Sequence, residues 1–410
     1  MKKTLRDYQV ELSKQGVDKL KELGLVYYAI EVRCGKTSIA LETCRLFGAK
    51  KVLFLTKKKA ISSIEADYKD FGFMFDLKVI NNESLHKIKD NDFDVVIGDE
   101  FHRVGGSFPK PSKMAKDFKA RFFNTPLILL SGTPHPESYS QLYHSFWVSK
   151  FSPFKEKNFY RWADNYVKVF QVNYGYGNVN DYSKADENKI RSVTDKYFIT
   201  YTQKQSGFET VVKENFLSVK MKDTTYNLAN RLIKDRVIES SSGTILSDTA
   251  VKLQGKLHQI YSGTIKFEEG NAVAFDLSKA EFIKNHFKEN KIGIFYKFIA
   301  ELDALKQVFG DTLTTDLDEF NNSDKNIALQ IVSGREGISL RNADYLVYYN
   351  IDFSAVSYFQ SKDRMSTIER LNNDIYWVFS QGGIEEKIYK AVSKKKNYTN
   401  GVFKRQYKIE

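Results

Sequence analysis

The chain has 410 residues and a net charge of +12, with 42% apolar and 14% aromatic residues. This length and composition argue against a disordered chain and allow two or three domains, each with its own buried core. The basic excess favours a polyanionic partner such as a nucleic acid, although a solvated lysine-rich surface explains the charge equally well.

Cysteines and long apolar segments are both scarce. Cys34 and Cys44 are the only cysteines, which argues against a disulfide framework or a zinc site and favours a reducing cytoplasm. No stretch approaches the roughly 18 apolar residues of a membrane helix, and no apolar run follows the basic start as in a signal peptide. We therefore expect a cytoplasmic protein with no membrane partner.

The first motif in chain order is Gly35-Lys36-Thr37, which stands between the apolar segment LVYYAIEV and the helical pattern SIALETCRLF. A strand, a loop and a helix in this order are the context of a phosphate-binding loop. The backbone at Gly35 would hold the phosphates of ATP, Lys36 would contact the β and γ phosphates, and Thr37 would bind Mg²⁺. The first glycine of the loop pattern is replaced by Ile30.

A buried strand predicted at 51–56 is followed by three lysines, Lys57, Lys58 and Lys59. Clustered lysines after a strand are candidates for contacts with the phosphates of a nucleic acid. A solvated helix start explains the same three residues equally well.

The segment VVIGDE ends a predicted strand with two acids, Asp99 and Glu100. Adjacent carboxylates at the end of a buried strand are costly unless they hold a metal ion or take part in chemistry. Asp99 is expected in the Mg²⁺ shell, and Glu100 is expected to position the attacking water. An ordinary surface turn is the alternative.

Near-continuous apolar runs predict the remaining strands, because such runs are typical of parallel sheets covered by helices on both faces. The runs fall into two groups, 51–132 and 291–350, with amphipathic patterns between them. Two α/β domains with a helical insert follow from this grouping. Besides 51–56, the predicted strands lie at 93–100, 126–132, 291–296, 327–333 and 344–350.

The segment DEFH at 99–102 resembles the Asp-Glu-x-His box of superfamily 2 helicases and translocases. Other segments resemble further motifs of that family in the family's order. Inserts such as KLHQIYSG (256–263) resemble its Swi/Snf-type branch, and the likeness extends from about residue 4 to 390. The matching segments are LRDYQ (5–9), VLFLTKKKAI (52–61), LLSGTPHPES (129–138), KIGIFYKFIAELDAL (291–305), VSGREGISLRNADYLVYYN (332–350) and SYFQSKDRM (357–365).

The resemblance implies roles for residues that the spacing alone does not single out. Gln9 would contact adenine, and Gly337 would lie at the nucleotide. Arg364 would stabilise the charge of the transferred phosphoryl group. Residues that couple hydrolysis to lobe movement would be Ser131, Thr133 and Gln360.

The resemblance also departs from the family in its last motif. The family usually has two arginines, four and seven residues after the glutamine. Arg364 fits the first position, whereas Thr367 stands at the second and the nearest arginine is Arg370. Either Arg370 acts from a shifted register or one arginine suffices.

The implied fold is α/β, with two RecA-like lobes, each a mostly parallel sheet covered by helices, and helical insertions between them. The lobes would close on each other around ATP. Their predicted bounds are 1–215, with an insertion at about 135–205, and 216–410, with an insertion at about 216–275 and a basic tail at 393–410.

The implied function is an ATP-dependent DNA translocase or helicase, a nucleic-acid-stimulated ATPase that uses ATP and Mg²⁺. Double-stranded or branched DNA is the expected partner, together with proteins of replication, recombination or repair. An RNA helicase, or a nucleic-acid-binding module with little turnover, is the alternative. No nuclease, methylase or zinc module is recognisable in the sequence, and a motor of this kind resembles phage-encoded helicases. The resemblance would imply a phage-encoded protein that works in the host cytoplasm.

Overall fold

A computed structural model describes residues 3–136, 138–173, 178–207, 211–334, 339–354, 357–358, 361–362, 364–365, 370 and 372–394. The chain divides into two compact units, Met1–Phe208 and Glu209–Glu410. The boundary expected from the sequence was residue 215. The strand Val211–Val219 pairs along its whole length with Asn372–Ser380, which assigns it to the second unit.

The first unit is built on a six-stranded sheet in which every pair of neighbours is parallel. Its order is β3-β2-β4-β5-β1-β8. A separate antiparallel hairpin is formed by β6 and β7. The strands are β1 (Leu25–Ile30), β2 (Lys51–Thr56), β3 (Asp76–Asn81), β4 (Val95–Gly98), β5 (Leu127–Leu130), β6 (Phe170–Asn173), β7 (Asn178–Asp181) and β8 (Phe198–Tyr201).

Helices cover both faces of this sheet. Successive residues of a strand alternate between two hydrophobic clusters: Tyr27 lies in one, and Val26 and Tyr28 lie in the other. This alternation explains the continuous apolar runs, because both faces of each strand are buried. The helices are Asp7–Leu23, Lys36–Phe47, Ile61–Phe71, His102–Gly105, Lys113–Phe122, Leu142–Trp147, Phe159–Tyr166 and Glu187–Thr194.

The second unit repeats the plan with a parallel sheet of order β15-β16-β14-β17-β18-β9. Its strands are β9 (Val211–Val219), β14 (Ile292–Tyr296), β15 (Leu313–Thr314), β16 (Asn326–Gln330), β17 (Tyr345–Tyr348) and β18 (Asn372–Ser380). Two hairpins pair β10 (Val237–Ser240) with β11 (Gly243–Leu246) and β12 (Thr264–Lys266) with β13 (Ala272–Ala274). The helices are Asp223–Asp235, Ala250–Tyr261, Ser278–His286, Ile299–Phe309, Leu317–Asn321, Ile331–Gly334 and Glu385–Val392.

The fold class predicted from the sequence is confirmed: two RecA-like lobes, each with a parallel sheet covered by helices. The two expected insertions contain hairpins as well as helices. The basic tail beyond residue 394 lies outside the described residues. Among the helices that the structure describes, none combines the length and apolar character needed to cross a bilayer.

Candidate nucleotide-binding site

The glycine-lysine motif lies where a strand passes into a helix. The strand β1 ends at Ile30, and the 12-residue helix Lys36–Phe47 begins directly after Gly35. Gly35 caps the helix with a left-handed φ of 75°, and Arg33 also has a positive φ of 66°. Left-handed residues before a helix turn backbone N–H groups toward one point, which is how anion-binding loops are built.

Gln9 reaches this loop from the N-terminal helix. A Cβ atom on Gly35 would lie 2.0 Å from Nε2 of Gln9, so only glycine leaves room for the amide. The other end of the amide is fixed, because Oε1 of Gln9 accepts a hydrogen bond of 2.9 Å from the backbone N–H of Arg6. The glutamine that the sequence predicts to contact adenine therefore lies directly beside the candidate phosphate loop.

The loop is held from two sides. Tyr8 stacks on Tyr201 with ring centroids 4.7 Å apart, and its hydroxyl donates to the carbonyl of Cys34 over 3.3 Å. Gln203 donates from its side chain to the carbonyl of Val32 over 3.1 Å. These contacts fix the backbone that would surround the phosphates.

The Lys36 ammonium lies over its own loop. Nζ donates to the carbonyls of Ile30, at 2.9 Å, and Glu31, at 3.4 Å. A Cβ on Gly132 would be 3.6 Å from the same nitrogen. The loop after β1 and the Ser-Gly-Thr segment after β5 thus meet at Lys36, because parallel strands end at the same edge of the sheet.

Asp99 follows β4 at this edge, and its surroundings destabilise the ionised form of its carboxyl group. Burial raises the pKa of Asp99 to about 6, and the neighbouring Glu100 charge adds to the increase. A hydrogen bond of 2.7 Å from the Thr56 hydroxyl and the charges of Lys36 and Lys57 act in the opposite direction. A carboxylate in such surroundings gains from a bound cation.

Glu100 joins a chain of polar contacts. Its Oε2 lies 3.3 Å from Nδ1 of His102, and the same nitrogen lies 2.8 Å from the Ser131 hydroxyl. The Ser131 oxygen accepts a hydrogen bond of 3.0 Å from the backbone N–H of Thr133. The histidine therefore connects the second acid to the segment after β5.

Thr37 and Asp99 suit a magnesium ion. A hydroxyl and a carboxylate are hard oxygen ligands, and Mg²⁺ is usually held by one or two such groups together with substrate phosphates. Within the described part of the chain, no cluster of three or more His, Cys, Asp or Glu side chains would bind a metal by itself. The donor set fits an ion that arrives with a nucleotide.

The three lysines after β2 differ in their surroundings. Lys58 and Lys59 are exposed, whereas Lys57 is half-buried and its charge helps to lower the pKa of Asp99. The charge of Lys57 therefore acts on Asp99 of the acidic pair. Lys58 and Lys59 lie in a short 3₁₀ helix at the surface of the first unit.

In the second unit, the structure describes Arg364 but neither Gly337 nor Gln360, which both lie outside the described residues. Arg364 is half-buried, and its carbonyl accepts a hydrogen bond of 2.8 Å from the N–H of Leu340. The segment around Arg364 is thereby tied to the loop before β17.

Arg370 has a different environment. Its guanidinium donates to the carbonyls of Arg341 (3.2 Å), Asp344 (2.6 Å) and Ala343. Three carbonyls of one turn thus share this cation, which is the pattern of a residue that holds a loop.

Thr56 and His102 are site residues that the sequence did not single out. Thr56 is a buried polar residue at the end of an otherwise apolar strand, and that position was the available signal. His102 was part of the recognised DEFH segment without a role of its own. Tyr27 was hidden inside an apolar run, and burial, with the charge of Glu100, raises its pKa.

Fold and site together define a two-lobed RecA-like protein with a candidate phosphate-binding loop in its first lobe. No protein-family model matches the chain. The chain is similar to the helicase SWR1 of Candida glabrata, with 29% identity over 181 residues, or 38% of this chain. The chain spans 12% of the length of that relative.

The chain is also similar to a solved structure, the Sulfolobus solfataricus SWI2/SNF2 ATPase core in complex with dsDNA. The match covers 99% of this chain and 93% of that chain, with 14% identity and a TM-score of 0.43. The similarity to a helicase at the level of sequence agrees with the ordered motifs. The chain is thus similar in sequence, over part of its length, to a helicase, and its motifs resemble those of the Swi/Snf-type branch of superfamily 2.

Proposed function

We propose that the chain is a nucleic-acid-stimulated ATPase that acts as a DNA translocase or helicase. One observation carries the proposal. Lys36, Asp99 and the linked side chains of Glu100, His102 and Ser131 lie together at one edge of the first sheet. The similarity to a helicase supports the same conclusion.

ATP would bind with its phosphates at the loop before the helix Lys36–Phe47. The backbone N–H groups at the helix start and the helix dipole favour the negative charge. Lys36 would exchange its contacts with loop carbonyls for the β and γ phosphates. Gln9, fixed beside Gly35, would contact the adenine.

Thr37 and Asp99 would hold the Mg²⁺ ion, which neutralises part of the charge on the phosphate oxygens. Glu100 would orient the attacking water and accept its proton. Arg364 would supply a positive charge to the γ-phosphoryl group during transfer, a contribution worth about 10³–10⁵ in rate for arginine fingers.

His102 connects Glu100, the residue proposed to orient the attacking water, to the segment after β5. A change at Glu100 would alter the contact of His102 with Ser131, and through it the backbone at Thr133. We propose that this path, together with Gln360, links hydrolysis to movement along DNA. Gly337 would contribute to the nucleotide site from the second unit.

Double-stranded or branched DNA is the proposed partner, with Lys57, Lys58 and Lys59 near its backbone. Phosphate contacts of this kind are salt-sensitive and tolerant of sequence. A place in replication, recombination or repair would follow from such an activity. An RNA helicase and a binding module with little turnover remain the alternative outcomes of the test.

Two substitutions test the chemistry. Lys36→Ala should lose both ATP binding and turnover, because the phosphates lose their point charge. Glu100→Gln should still bind ATP while turnover falls by about 10²–10⁴, the range of general-base catalysis. Binding of a fluorescent ATP analogue and phosphate release measure the two effects separately.

Glu83→Gln provides the control, because Glu83 is a carboxylate of the same unit whose Oε2 accepts a bond of 3.1 Å from Asn81, outside the site. This variant should bind and hydrolyse ATP like the wild type. Wild-type turnover of Glu100→Gln would remove Glu100 from the mechanism.

A further inference from the structure

Glu214 on the edge strand β9 accepts four hydrogen bonds. Its Oε1 accepts from the Tyr358 hydroxyl over 2.8 Å and from the Lys362 ammonium. Its Oε2 accepts from Nε1 of Trp377 over 2.8 Å and from the Tyr389 hydroxyl over 3.0 Å. The side chain is 17% exposed, so donors from the protein replace most of its contacts with water.

The carboxylate stays ionised in these surroundings. Burial by itself favours the neutral acid, but the hydrogen bonds and the Lys362 charge outweigh it and lower the pKa of Glu214. An ionised acceptor makes stronger hydrogen bonds than a neutral one, and it holds its donors in fixed directions. Glu214 therefore acts as a rigid anchor at neutral pH.

The donors come from three different parts of the second unit. Trp377 lies on β18, and Tyr389 lies on the helix Glu385–Val392. Tyr358 and Lys362 belong to the 357–365 segment, which also carries Gln360 and Arg364. The carboxylate thus ties this segment to the edge of the sheet.

Other contacts reinforce the same attachment. The Tyr358 ring stacks on Trp377 with centroids 5.5 Å apart, and the Lys362 ammonium lies 4.4 Å from the centre of the Tyr358 ring. Tyr348 donates from its hydroxyl to Ser361 over 2.7 Å. These contacts involve residues that precede Arg364 by two to six positions in the chain.

We propose that Glu214 is a positioning residue for ATP hydrolysis, which holds Tyr358 and Lys362 so that Arg364 is presented in one orientation. The inference rests on the proposed role of Arg364. Glu214 itself is assigned no contact with ATP or the reacting atoms. It acts through the contacts that it makes with Tyr358 and Lys362.

Glu214→Gln is the direct test. The amide keeps the size of the side chain but removes the charge and one of the two acceptor oxygens, so donors on one side lose their partner. We expect kcat with saturating duplex DNA to fall about tenfold, since small misplacements of a catalytic group cost up to about 10²-fold. The KM for ATP should stay within about twofold of the wild type, because ground-state binding is untouched.

Asp374→Asn is the matched control. The Asp374 carboxylate also joins β18 to β9, because its Oδ1 accepts from the Asn215 amide over 2.9 Å and lies 3.7 Å from the Lys213 ammonium. Among the described residues, neither of these partners belongs to the 357–365 segment. This variant weakens the same strand pair, and both kcat and KM should remain at wild-type values.

If Glu214→Gln does not fold, Lys362→Gln removes the charge from the other side of the contact and should lower kcat in the same direction by a smaller factor. A wild-type kcat for Glu214→Gln, or an equal loss in Asp374→Asn, would overturn the inference. Arg364→Ala is measured in parallel. A wild-type rate for that variant contradicts the role of Arg364 within the proposed function, whatever Glu214→Gln does.

Discussion

Glu100 has a left-handed backbone, with a φ of 46°, which is uncommon for a residue with a side chain. Its N–H donates to Oδ1 of Asp99 over 3.0 Å, and the next N–H, from Phe101, donates to the carbonyl of Leu130 over 3.0 Å. Strained backbone of this kind persists where surrounding bonds fix it, and it concentrates at functional sites. The conformation supports the proposed role of Glu100.

Asp99→Asn should make the protein more stable and inactive. The pKa of Asp99 is raised to about 6 in the folded chain, whereas an unfolded aspartate titrates near 3.8. Below that lower value both states are protonated, so the substitution changes little. As pH rises toward 6 the unfolded chain loses its proton first, and wild-type stability falls.

Above pH 6 the full penalty is present, so the substitution stabilises the folded chain most in that range. Part of this gain is offset because Thr56 loses a charged acceptor. Thermal melting at pH 4 and pH 8 measures the effect. A variant that is no more stable than the wild type at pH 8 would contradict the electrostatic penalty assigned to Asp99.

Arg364 and Arg370 should separate turnover from stability. Arg364→Ala should abolish DNA-stimulated hydrolysis and leave DNA binding nearly intact. Arg370→Ala should instead cost about 1–3 kcal/mol of stability, the usual penalty for carbonyls that lose a charged donor, and retain hydrolysis. ATPase rates with saturating DNA and melting curves distinguish the two.

The opposite pattern, with an inactive Arg370→Ala and an active Arg364→Ala, would move the finger six residues along the chain. The carbonyls of Arg341, Ala343 and Asp344 argue against that pattern, because they already use the guanidinium of Arg370. If Arg370 holds this turn and Arg364 acts on the phosphoryl group, one catalytic arginine in the last motif is enough.

At the scale of single elements, the phosphate loop depends on Gly35. Gly35→Ala brings a Cβ to 2.0 Å from Nε2 of Gln9 and forces a side chain into a φ of 75°. We expect a loss of ATP affinity of tenfold or more, about 1.4 kcal/mol, because the helix start and Gln9 cannot both keep their places. Binding of a fluorescent ATP analogue measures it.

Gly48→Ala is the control for this element. Gly48 ends the same helix with a φ of 82°, and nothing lies within 4 Å of an added Cβ. This variant carries similar backbone strain but should bind ATP normally. Equal losses of affinity in both variants would attribute the effect to strain in the helix and not to the loop.

The sequence predicted the central strands better than the outer ones. The run 51–56 coincides with β2, and 93–100 contains β4, with Asp99 and Glu100 directly after it. The strands β3, β9 and β18 are among those that the sequence did not predict, because each leaves alternate side chains partly exposed. β3 and β9 lie at a sheet edge, and β18 lies next to β9. Segments that are apolar on just one face are common in the sequence, so this pattern does not identify a strand.

The parts of the candidate site that could be predicted are those whose residues lie together in one short sequence motif. Lys36 and Thr37 follow from the loop, and Asp99 and Glu100 follow from the end of a strand. The contacts of His102 with Ser131 could not be predicted, because they join residues 29 positions apart through the ends of neighbouring strands. The anchoring of Arg370 likewise depends on a turn distant in sequence.

For the whole molecule, the net charge of +12 needs a partner or an exposed surface to account for it. Lys58 and Lys59 are exposed beside the end of β2, in the same unit as the candidate nucleotide site. Binding through such lysines displaces counterions from DNA, so affinity should fall steeply with salt.

The steady-state rate of ATP hydrolysis, measured without nucleic acid and with single-stranded DNA, duplex DNA, branched DNA and RNA in turn, tests the proposed DNA motor most directly. We predict a low basal rate and the largest stimulation by duplex or branched DNA, reduced by higher salt. The same rate with every polymer and with none would contradict a DNA motor, and stimulation by RNA alone would assign the chain to the RNA helicases.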